Sequence, residues 1–142
     1  MPFFADQNRE QLRRMYCDAW RKFRARAPLE PLEAQIAAVI AEHAEHVPLL
    51  ESPEALLHEF APQDGRENPF LHLGLHLAIR EQVATDRPAG IAGIHAALCR
   101  RLGDAHAAEH AMIERLAETL WEAQRFGRMP DEQQYLQRLR AL

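Results

Sequence analysis

Asn68-Pro-Phe-Leu-His72-Leu-Gly-Leu-His76-Leu-Ala-Ile-Arg-Glu81 is the most apolar run of the chain, and it carries two histidines four residues apart. Two readings compete for it. The alternation from Phe70 to Ile79 is a strand pattern, whereas Asn68-Pro69 is a cap followed by proline in the first helical turn. The run continues unbroken into Arg80-Glu81-Gln82-Val83-Ala84, and no other segment offers a partner strand. The spacing therefore predicts a helix to about Thr85. Leucines at 71, 73, 75 and 77 would surround it, which places it in the middle of a bundle. Gly74 lowers helix stability by ~1 kcal/mol relative to alanine, and it suits close approach of a neighbouring helix or a ligand.

Working outward, Asp6 caps a first helix to about Arg26, striped by Leu12, Met15, Tyr16, Ala19, Trp20 and Phe23. A second helix starts at Pro31, with Leu32, Ile36, Val39, Ile40, His43 and Val47 on its apolar face, and Pro48 closes it. Ser52-Pro53-Glu54 opens a short helix to about Phe60, with His58 toward solvent, and Pro62-Gln63-Asp64-Gly65 makes a turn. Beyond the turn at Asp86–Gly90, Ile91, Ile94, Leu98 and Leu102 stripe a helix that Gly103 ends. Asp104 caps the next, to about Phe126, with His106, His110, Ile113, Ala117, Leu120 and Trp121 in register. Asp131 caps a last short helix carrying Tyr135, Leu136 and Leu139. The expected fold is all-α: a single domain over residues 1–142, an irregular bundle of four long and about three short helices.

Composition agrees. Apolar residues make up 47% of the 142, charged ones 27%, and the formal charge is −4. So mild a charge gives no global field toward nucleic acid or a membrane surface. It is unevenly spread: seven basic residues lie between Arg9 and Arg26, and eight acids with no Lys or Arg lie between Ala27 and Gly65. A basic first helix against an acidic second segment accounts for this. The same face, at Arg13 and Arg14, could instead dock a protein partner. No aromatic-basic stacking pattern supports nucleic-acid binding. Cys17 and Cys99 stand alone and read as free thiols in a reducing compartment. The first residues carry no basic-then-apolar leader and no run reaches membrane-spanning length, so the expected compartment is the cytoplasm.

One pattern suggests chemistry. Asp104-Ala-His106-Ala-Ala-Glu109-His110-Ala-Met-Ile-Glu114 repeats the i, i+4 histidine pair, now with a carboxylate inside it. Residues four apart share a helix face, so each pair presents two imidazoles to one point. Imidazole is the commonest side-chain ligand for borderline transition metals. His72, His76, His106 and His110 are thus expected to hold a transition-metal ion, zinc or iron. Glu109 and Glu114 are expected as further ligands or as acceptors that orient an imidazole. Glu42-His43-Ala44-Glu45-His46 is also dense in ligand-type side chains, but histidine near a helix C-terminus is favourable without a metal. His106-Ala-Ala-Glu109-His110 has the spelling of inverted zinc peptidases, yet only 32 residues follow His110. A di-iron bundle needs Glu-x-x-His pairs that these two helices lack. No Gly-rich phosphate loop or G-x-S-x-G is present.

Three stretches carry a resemblance over nearly the full length: Gln11-Leu-Arg-Arg-Met-Tyr-Cys-Asp-Ala-Trp20, Asn68 to His76 running on to Pro88, and Gly103-Asp-Ala-His106 to Leu120-Trp-Glu-Ala-Gln124. In these the chain resembles an uncharacterised bacterial domain-of-unknown-function family of helical proteins of about this length. The resemblance implies no activity. The functional expectation is a metal-binding helical protein, with an interaction module whose histidines are structural as the alternative and a weak nucleic-acid binder through the basic first helix as the second alternative.

Overall fold

The computed structural model describes residues 2–56 and 68–142, and side chains from Arg9 onward. Seven α-helices and one 3-10 turn are present among the described residues, and no strand. They are α1 (Pro2–Arg24), α2 (Pro31–Ala41), α3 (Val47–Leu50), α4 (Pro69–Thr85), α5 (Ile91–Leu102), α6 (Ala105–Arg125) and α7 (Glu132–Arg140), with the 3-10 turn at Ala44–His46. The chain divides into two compact units, Met1–Gly74 and Leu75–Leu142. The division falls within α4, so that helix is described in two parts.

In the first unit α1 packs on α2 and α3. Tyr16, Ala19 and Trp20 are buried with Ile36, Val39, Ile40 and Leu50. The expected stripe on α1 is narrower than its apolar residues suggest: Leu12, Met15 and Phe23 are exposed. Arg13 is buried in their place, with its guanidinium 4.8 Å from the centre of the Phe70 ring and Nη1 donating to the Ala55 carbonyl at 3.3 Å. Arg14 stays on the surface beside Glu10 at 2.8 Å.

The second helix is shorter than its periodicity predicts. It stops at Ala41, the 3-10 turn follows, and Pro48 sits in the first turn of α3 rather than closing α2. Proline lacks an amide hydrogen, which costs nothing in a first turn. The signal at Ser52-Pro53-Glu54 yields turns through Leu56 instead of a helix. The rest of that expected helix, with His58, and the turn at 62–65 lie outside the described residues.

Helix α4 forms as expected. The Asn68 side chain accepts from the Phe70 and Leu71 amides at 3.0 and 3.3 Å. Phe70 and Leu73 bury in the first unit, where Tyr16 stacks on Phe70 at 6.0 Å. A methyl group at Gly74 would lie 3.3 Å from the Tyr16 hydroxyl, so the close approach expected at this glycine is to a tyrosine. Leu71 is exposed, against the expectation of a helix buried all round.

In the second unit, α5, α6 and α7 pack together around Ile79, Ile91, Leu98, Met112, Leu116, Tyr135, Leu136 and Leu139. Asp104 caps α6 through the His106 amide at 3.0 Å, and Asp131 caps α7 through the Gln134 amide at 3.1 Å. Gly103 ends α5 at φ 69, a left-handed conformation that glycine adopts without strain. Leu120 and Trp121, expected in the buried stripe of α6, are exposed.

Candidate metal centre

In the second unit the site begins with His76. It lies in the buried row of α4, three residues before Ile79, and is fully excluded from solvent. A buried imidazole needs partners for its polar nitrogens. Nδ1 of His76 donates to Oε1 of Glu109. Glu109, itself buried on α6, also accepts from Nε of Arg80 at 3.1 Å to each oxygen. Burial pushes the Glu109 carboxyl upward, but the hydrogen bonds from His76 and Arg80, with the Arg80 charge, outweigh it and hold the group below the usual carboxylate range. The carboxylate is therefore ionised and accepts from Nδ1 of His76. In a neutral imidazole so bonded, Nε2 is the nitrogen that a metal can take.

His106 and His110 complete a triangle of imidazoles. The His76 ring centre lies 5.5 Å from that of His106 and 4.7 Å from that of His110, and the last two are 4.2 Å apart. An ion bonded to imidazoles at about 2.0–2.1 Å in tetrahedral geometry holds ring centres roughly 5 Å apart. Glu114 stands elsewhere: its carboxylate is 73% exposed and lies 3.8 Å from Arg115. Glu109 has both oxygens engaged, by His76 and by Arg80.

In the first unit His72, half-buried at the start of α4, stands beside two histidines that follow α2. Its ring centre is 5.0 Å from that of His43 and 5.9 Å from that of His46. His43 is 1% exposed, and its Nδ1 donates to the Val39 carbonyl at 2.8 Å. A carbonyl only accepts, so this ring too presents Nε2 as its lone-pair nitrogen. His43 and His72 in the first unit, and His76 and His110 in the second, each offer a nitrogen that could hold a metal ion. Within each pair these nitrogens lie within 4.8 Å of one another. His43 was not among the expected ligands. Its place in the apolar spacing that runs on from Ile36, Val39 and Ile40 is the signal, and a hydrogen-bonded histidine at a helix end explains that place equally well.

Comparison with known proteins adds one finding. The family described as Domain of unknown function (DUF1841) matches residues 8–141. The chain belongs to this family. The DUF1841 match spans both units and all the histidines above. No curated protein matches the chain, and no solved structure matches it either. Among the described residues no helix is long and apolar enough to cross a membrane.

Proposed function

We propose that this protein binds a transition-metal ion, zinc or iron, through imidazoles, with His76, His106 and His110 holding it in the second unit. The observation that carries this reading is the chain Arg80–Glu109–His76, in which Glu109 and His76 are buried. A carboxylate on the far nitrogen of a histidine fixes its tautomer and raises its basicity as a ligand, the arrangement that accompanies metal-bound histidines. His72, also an expected ligand, lies in the first unit beside His43 and His46. Three imidazoles leave a fourth position of a tetrahedral ion for water or a further ligand, which suits Lewis-acid chemistry as well as storage or sensing.

Metal analysis of protein purified without a histidine tag tests the proposal. It predicts a stoichiometric ion that His76→Ala and His110→Ala each diminish, and a rise in thermal stability on adding zinc or iron. Less than about 0.2 equivalents of any transition metal, with no thermal shift, would refute it.

A further inference from the structure

Three imidazoles in the first unit play no part in the centre just proposed, and the backbone brings two of them together. Helix α2 gives way at Glu42 to a residue with φ −129 and ψ 64, His43, and then to the 3-10 turn Ala44–His46. In 3-10 geometry side chains three residues apart eclipse one another. His43 and His46 are so spaced, and their rings stack at an interplanar angle of 10° with centres 5.8 Å apart. His72 meets both rings edge-on, at 76° and 66°.

We propose that His43, His46 and His72 form a second metal site, which takes a divalent transition ion with Glu45 as a carboxylate on its solvent side. Glu45 is 66% exposed and places Oε1 3.9 Å from Nε2 of His46. The His43–His72 separation already equals the spacing of two imidazoles on a tetrahedral ion, roughly 5 Å. The longer distances to His46 exceed it by about 0.9 Å at most (5.9 against roughly 5), which rotation of that half-buried ring can close. Three nitrogens and one carboxylate oxygen make a set that fits zinc, iron or copper.

Zinc alone, titrated calorimetrically into metal-free, untagged full-length protein, tests the inference, with elemental analysis after desalting. Two ions per chain are expected. His46→Ala should leave one, His110→Ala should leave one, and the double variant none. His72→Gln provides a second probe of the same site, with circular dichroism to show that each variant is folded. If the wild type takes a single ion and folded His46→Ala or His72→Gln still takes it, the inference is overturned. It is overturned equally if the single ion is lost in both His46→Ala and His110→Ala, because one ion then draws on both groups. If His46→Ala loses an ion and His110→Ala loses none, this site stands and the reading of the second unit fails.

Discussion

Glu109 shows how one residue sets the character of its neighbours. Its two oxygens take three contacts, one from His76 and two from Arg80. Glu109→Gln removes the ionised acceptor and lets the His76 proton choose either nitrogen. Metal affinity in the second unit should fall about 10–100-fold, read by competition with a chelating dye. The same residue governs acid stability of the metal-free protein. Its folded-state pKa lies below its unfolded value, so its contribution is complete above the ordinary carboxylate value of about 4.3. That contribution disappears as the pH falls through the lower, folded-state value. Urea midpoints measured from pH 6 down to pH 3 should therefore drop less steeply in Glu109→Gln than in the wild type. Arg13 is the other buried charge that decides something. Arg13→Ala forfeits the bond to the Ala55 carbonyl and the contact with the Phe70 ring, and should cost about 1–3 kcal/mol in denaturant unfolding.

At the scale of the element, what could be read in advance depended on where the deciding interaction lay. The starts of α4, α6 and α7 were legible because Asn68, Asp104 and Asp131 bond to amides two or three residues on. Asp104→Ala should destabilise the protein by about 1 kcal/mol, a loss of a few degrees in melting temperature. The end of α2 was not legible. Its apolar spacing runs on through Val47, and nothing local at Glu42 marks the change to a 3-10 turn. Nor could the sequence show that Arg13 would be buried while Leu12 and Trp121 stay exposed, since that depends on which faces neighbouring helices cover. The histidine pairs had the same limit. Spacing puts His72 and His76 on one side of α4, and His106 and His110 on one side of α6. Only packing shows that Glu109 turns to His76, that Glu114 faces solvent, and that His72 meets His43 and His46.

At the scale of the whole molecule, the chain divides into two compact units, Met1–Gly74 and Leu75–Leu142, each with buried apolar residues of its own. The second unit is completed by α7, which reaches it through the exposed stretch 126–131. Tyr135, Leu136 and Leu139 are buried, the Tyr135 hydroxyl donates to Gln82 at 2.7 Å, and Arg138 grips both oxygens of Glu122 at 2.8 and 2.7 Å and Thr119 at 3.1 Å. Everything that holds this helix is thus a non-covalent contact made beyond the connecting stretch. The protein is for that reason suited to fragment complementation. A chain ending near residue 128 should lose thermal stability, and a synthetic peptide of residues 130–142 should restore it saturably, whereas the same peptide with Leu136→Asp and Arg138→Glu should not. A peptide that restores nothing at millimolar concentration would mean that α7 depends on its tether. With the expected result, the last helix becomes a detachable handle, through which a dye or a cross-linker could be brought to the second unit without touching its histidines.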